Sequence, residues 1–294
     1  MIGHISVPDK NLPVFIAGST KNSGKTSTLN ALTEIWRKDL NNFSILTTGR
    51  DGEEIDAVYS KPKPPVRIQS GDIAISTRTG IGSLSVNLLE LSSVSSNGRL
   101  GIFRLLEGGK IEIYGSPSGT ATWEQIRALE KYGNLIIVDG SFDRWTVTSL
   151  GQCRIIIAVS PTSFPSPESS LNWLEERLTV LNLPYPDESI EFIPEDKTKL
   201  SENLFVNRPL TNKNLNEILN SGVSRILVPA PSSIFLSKPM LQRAKDKLFV
   251  LTKPVIHGIS INSSHDRGSI TPKSYFQMVS QRFPEYEVAD FYGF

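Results

Sequence analysis

Apolar residues in this chain come in short runs that alternate with helical spacings, and the alternation starts near the N-terminus. Residues 12–18, LPVFIAG, are a short apolar run closed by glycine, the pattern of a buried strand. From Thr26 onward Leu29, Leu32 and Ile35 or Trp36 recur at helical spacing, and residues 43–49, FSILTTG, read as a second strand. Strand, loop, helix and strand within so short a stretch make a βαβ unit, which requires a parallel sheet.

Between residues 61 and 119 the texture changes. VRIQSGDIAIST, NLLELSSVSS and GRLGIFRLLEGGKIEIYGSPSG are alternating or β-rich runs broken by Gly and Ser. They predict an antiparallel β insertion after the second strand, with EGGK (107–110) as a hairpin turn. A helix over 121–133, strands over 134–140 and 153–160, and a helix over 166–183 restore the α/β rhythm. Ser166, with Pro167 in the first turn and Glu168 behind it, is a strong helix start. The acidic, proline-containing stretch 184–199 is the boundary candidate, dividing 1–183 from an α/β region over 184–294. Beyond it ENLFVN, RILVPAP and LFVLTKPVIHGISIN read as strands, with helices at 211–221, 233–247 and 272–282. Periodicity leaves open whether this region is a second lobe or continues the same sheet. The expected fold is α/β, a mostly parallel doubly wound sheet.

Composition narrows the partners. A net charge of +1 provides no charge-driven attraction to nucleic acid or to an anionic membrane. The longest apolar run, around 155–159 in RIIIAVS, is far too short for a membrane span. The first residues lack the basic segment and apolar core of a signal peptide, so a cytoplasmic protein is expected. Cys153 is the single cysteine, which excludes an internal disulfide and reads as a small buried residue.

The candidate chemistry lies between the first strand and its helix. The loop runs Gly18, Ser19, Thr20, Lys21, Asn22, Ser23, Gly24, Lys25, Thr26, with Ser27 next. A phosphate chain needs inward-facing backbone N–H groups, a helix N-terminus, a flexible cation and a small hydroxyl for Mg²⁺. Gly24 admits the backbone closely, Lys25 can bridge terminal phosphates, and Thr26 can ligate the metal. Five residues separate the glycines instead of the usual four, and Ser19 stands where the first glycine is expected. The competing reading is an ordinary Gly/Lys turn; the surrounding βαβ context favours a P-loop binding ATP or GTP with Mg²⁺. Two carboxylate sites complete the set. Asp139 ends the apolar run LIIVDG at the edge where α/β proteins place ligands. Asp51, in TTGRDGEEID (47–56), is the candidate for a second metal-side carboxylate, with Glu53 the alternative and Arg50 beside it.

The loop resembles those of the SIMIBI class of P-loop proteins, in particular dethiobiotin synthetase-like and molybdopterin-guanine dinucleotide biosynthesis B-like proteins. The resemblance implies that Lys21, one place from the class's usual position, contacts phosphate in cis or in trans, and that Asp51 orients attacking water. The series GSTKNSGKTSTLNAL, TTGRDGEEID, KPPVRIQSGDIAIST, GSPSG, LIIVDGSFDR, VPAPSSIFL and HGISIN resembles the smaller P-loop components of lysine 5,6-aminomutase reactivase systems. That resemblance implies a P-loop nucleotide-binding domain over 1–183 and an ATP-using, chaperone-like reactivating factor. Its implied partners are a larger MutS-like reactivase subunit and an adenosylcobalamin-dependent aminomutase; a homodimer is compatible with it.

Two alternatives carry different chemistry. A dethiobiotin synthetase-type ligase has a Tyr-Lys-Pro segment after the second strand, where this chain reads TTGRDG. The other alternative is a GTP-binding cofactor-biosynthesis protein; a GTP-binding metallochaperone usually carries a His/Cys cluster, and His4, His257, His265 and Cys153 offer no ligand spacing. His257 reads as a packing or capping residue and His265 as loop surface. TNKNL (211–215) departs from the guanine-reading pattern at its last position, which favours ATP, and no Asp-x-His-x-x-Gly cobalamin pattern is present.

Overall fold

The computed structural model describes every residue except 1, 21–22, 49, 52–64, 96–97, 117, 141–144, 196–201, 264–270 and 292–294. The chain is α/β, with seven α-helices among the described residues. It divides into two units, Met1–Ser170 with Val255–Phe294, and Leu171–Pro254. The first unit begins β1 (Ile2–Gly3), β2 (Val14–Gly18), α1 (Lys25–Trp36), β3 (Phe43–Thr47), β4 (Arg50–Asp51), β5 (Val66–Ile68), β6 (Ile73–Ser76) and α2 (Arg78–Ile81). It continues with β7 (Val86–Ser95), β8 (Gly98–Leu105), β9 (Gly109–Ile111), β10 (Ile113–Tyr114), α3 (Gly119–Glu130), β11 (Leu135–Asp139) and β12 (Arg154–Val159). Helix α4 (Pro167–Leu181) contains the division.

The second unit holds β13 (Ile193–Pro194), β14 (Asn203–Phe205), β15 (Leu210–Thr211), α5 (Asn212–Asn220), β16 (Arg225–Val228), β17 (Ile234–Phe235), α6 (Lys238–Ala244) and β18 (Leu248–Val250). Its sheet, β13-β14-β16-β18, is parallel throughout and carries its own core, with Leu204, Ile226, Val228 and Leu248 meeting Leu215, Ile218 and Leu241. The first unit then resumes with β19 (Val255–Ile261), α7 (Pro272–Arg282) and β20 (Val288–Asp290).

The large sheet has the order β1-β20-β19-β12-β2-β11-β3-β6-β8-β7. From β20 to β6 every neighbouring pair is parallel, while β1, β8 and β7 run antiparallel to their neighbours. Successive side chains of a strand point to opposite faces, and β2 shows the consequence. Val14 and Ile16 join the core built with Leu29, Leu32 and Trp36 of α1, whereas Phe15 and Ala17 join the one built with Trp123, Ile126 and Leu129 of α3. That double burial is why β2 reads as an unbroken apolar run.

The described residues of 61–119 are β-rich as expected, but part of the segment belongs to the main sheet: β6 pairs parallel with β3, and β8 and β7 extend that edge. The EGGK turn is not a hairpin. Both edges of β8 are already taken, by β6 and β7, so β9 pairs antiparallel with β5 instead. The true hairpin in this segment joins β7 to β8, where Ser95 faces Gly98 at a φ of 118°. The run LFVLTKPVIHGISIN is two strands rather than one, and β18 and β19 enter different sheets. The helix expected over 233–247 shortens to α6, because Ile234–Phe235 pairs with β15. Among the described residues no helix is long and apolar enough to cross a membrane.

Candidate functional site

Strand β2 delivers its loop to the C-terminal edge of the parallel strands, where α/β proteins place ligands. Gly18 lies beside Ala158 of β12, and Ser19 N donates to Ala158 O at 2.9 Å. The chain turns into α1 through Gly24 at φ 86°, a left-handed conformation that glycine adopts without strain. A Cβ on Gly18 would overlap Ser23 Oγ and lie 3.0 Å from Lys25 Nζ, so Lys25 lies folded back over the start of the loop.

The hydroxyls of Ser19, Thr20 and Ser23 are buried with no hydrogen-bond partner among the described residues. An unsatisfied buried polar group costs about 1–3 kcal/mol. Three in one loop need an explanation, and a loop shaped around another molecule's polar atoms supplies one.

Asp139 ends β11, the strand next to β2, and is fully buried. Its Oδ2 accepts from Thr26 Oγ1 at 2.9 Å, across 113 residues of sequence. Its carbonyl accepts from Thr47 Oγ1 at 2.9 Å and Thr48 N at 3.2 Å, fixing the end of β3 alongside. Gly140 follows with its N–H on Ile16 O at 3.0 Å, and a Cβ there would sit 2.8 Å from the same oxygen. Thr26 and Asp139 therefore meet beneath the loop. Ser27 lies beside Thr26 in the first turn of α1.

Lys21, Asn22 and Glu53 lie outside the described residues. Arg50 and Asp51 form β4, paired antiparallel with β10 so that Asp51 faces Ile113 and Arg50 faces Tyr114. Their side chains lie outside the described ones.

Three residues that the sequence reading does not single out meet at the start of α1. Thr28 Oγ1 and Ser260 Oγ are 2.5 Å apart, both residues fully buried, and Asn262 Nδ2 donates to Thr28 Oγ1 at 3.2 Å. A Cβ on Gly24 would overlap the Asn262 side chain. The available signal is HGISIN, an apolar strand that ends on an amide at the same sheet edge.

Cys153 and His257 lie in packed surroundings away from the loop. Burial pushes the Cys153 thiol up to about 12, and its Sγ lies 3.6 Å from Thr148 O. His257 Nε2 lies 2.9 Å from Ser6 O, with the ring edge-on to Trp36. His265 lies outside the described residues, among which no three His, Cys, Asp or Glu side chains gather as a metal cluster.

Chemically, the site joins an uncapped helix start, a lysine, buried hydroxyls and a hydroxyl–carboxylate pair of hard oxygen donors, the donor type that suits Mg²⁺. The chain matches no family model, no curated protein and no solved structure.

Proposed function

We propose that the chain is a P-loop ATPase with a doubly wound sheet, and that it serves as a reactivating factor for an adenosylcobalamin-dependent aminomutase beside a larger MutS-like ATPase. The observation that carries the nucleotide part is the Thr26–Asp139 contact beside the buried hydroxyls of Ser19, Thr20 and Ser23, which have no partner among the described residues. Backbone N–H groups at the start of α1, with the hydroxyls of Ser19, Thr20 and Ser23, donate to phosphate oxygens. The Lys25 ammonium approaches the terminal phosphates. Thr26 and Asp139 would hold Mg²⁺, which would supply charge neutralisation at the phosphates. Asp51 orients water. The client and partner rest on the motif series quoted above, and ATP rather than GTP on the absence of a guanine-reading segment.

Fluorescent ATP and GTP analogues titrated with and without Mg²⁺ test the site. Lys25→Ala is expected to abolish Mg-nucleotide binding while the circular dichroism spectrum stays unchanged; undiminished binding makes the loop merely structural. Hydrolysis by the lone chain is expected to be feeble and to rise several-fold with the larger ATPase or the aminomutase. Robust turnover by the isolated chain that depends on a small molecule, with a carboxylated or phosphorylated product, overturns the chaperone reading in favour of a ligase.

A further inference from the structure

Helix α1 differs from α3 and α7 in how it begins. Ser118 caps α3 by accepting from Ala121 N, and Thr271 caps α7 by accepting from Ser274 N. The position before α1 is Gly24, which has no side chain to offer. A capping side chain would consume a first-turn N–H, so a glycine leaves those donors open to a ligand. It also leaves the helix start without a local anchor.

The anchor comes from across the sheet. Asn262, at the end of β19, donates from Nδ2 to Thr28 Oγ1, one turn into α1. The same Thr28 hydroxyl shares a hydrogen bond with Ser260 Oγ at 2.5 Å. The Asn262 side chain also occupies the space that a Cβ on Gly24 would need. Asn262 is itself held firmly. Its backbone N–H donates to Val159 O of β12 at 3.0 Å, and the next residue binds Asp290 at the end of β20, Ser263 Oγ to Asp290 Oδ2 at 2.5 Å.

We propose that Asn262 is a positioning residue for the start of α1: it locks Gly24 and the first turn of α1 to β19, keeping the uncapped amides aligned for phosphate. The proposal rests on reading loop 18–27 as a phosphate site. Amide hydrogen exchange on the ligand-free full chain tests it without nucleotide. In Asn262→Ala, amides 24–29 are expected to exchange about five- to tenfold faster, the size of one lost hydrogen bond, with β3 and α3 unchanged. Ser260→Ala, which leaves the Gly24 contact intact, is expected to give a smaller local increase, and it serves should Asn262→Ala fail to fold. The Kd for Mg-ATP is expected to rise about tenfold in Asn262→Ala, as misaligned donors are lost to the phosphates. Unchanged exchange at 24–29, or a uniform rise across the chain, overturns the proposal. Local exchange that changes in a chain whose wild type binds neither ATP nor GTP overturns the nucleotide reading and keeps the brace.

Discussion

Asp139→Asn separates what the site needs from what the fold needs. The carboxylate is fully buried, and its Oδ2 accepts the Thr26 hydroxyl at 2.9 Å. The isosteric amide keeps an oxygen acceptor there but removes the charge. Burying an ion costs several kcal/mol before its partners offset it, whereas a buried neutral amide costs about 1–3 kcal/mol even where its N–H lacks a partner. Without nucleotide the variant is therefore expected to match the wild type or exceed it by about 1–2 kcal/mol. In a chain of this size that is a Tm rise of roughly 2–8 °C. With Mg-ATP the order reverses. Ligand at a hundredfold over Kd stabilises by about 2.7 kcal/mol, and each tenfold loss of affinity removes about 1.4 kcal/mol of that. Thermal melts at pH 7, with and without Mg-ATP and with EDTA, read both effects. A loss above about 2 kcal/mol without ligand would mean that the charge supports the fold, and equal ligand shifts in both proteins would detach Asp139 from the metal.

Three further outcomes bear on the scaffold. Asp72 is buried and accepts from Arg37 at 3.1 and 2.5 Å, Phe43 N at 3.0 Å and Gln69 N at 2.7 Å. Asp72→Ala is expected to cost about 3–5 kcal/mol in urea unfolding, and a loss under about 1 kcal/mol contradicts the clasp. Cys153, held near 12 by burial, is expected to resist thiol reagents at pH 8 until urea unfolds the chain; rapid labelling of native protein contradicts its burial. Burial raises Cys153 from 9.0 and Tyr275 from 10.0, each to about 12. The folded state thus keeps protons that the unfolded chain releases: the stability is full below pH 9 and is lost as pH climbs to 12. Urea midpoints are expected to fall from pH 9 to 11, less steeply in Tyr275→Phe, and a midpoint that rises with pH contradicts this sign.

The sequence shows most clearly what local burial dictates. Val14–Gly18 and Leu135–Asp139 are buried at every position, so their apolar runs and the loop and acid at their ends are readable. Sheet membership is not. Leu248–Val250 and Val255–Ile261 look alike, yet each joins a different sheet, because a strand's neighbours are chosen by distant segments. The EGGK turn misleads for the same reason: whether a strand folds back depends on whether its predecessor has a free edge. Asn262 and Thr28, 234 residues apart, meet through tertiary packing that no local pattern encodes.

The interleaved order of the two units sets a timetable for synthesis. Strand β12 has β2 on one side and β19 on the other, and β19 follows the whole of Leu171–Pro254 in the chain. The nascent polypeptide can thus assemble β2, β11 and β3 while β12 still presents a bare edge, an invitation to wrong pairing. The second unit, contiguous and locally wired, can mature first. The glycine-led start of α1 waits too, for its brace arrives only when residue 262 has emerged. A ribosome stalled before that point would display a loop with its lysine and no anchor, and slow codons between 171 and 254 would lengthen that exposure.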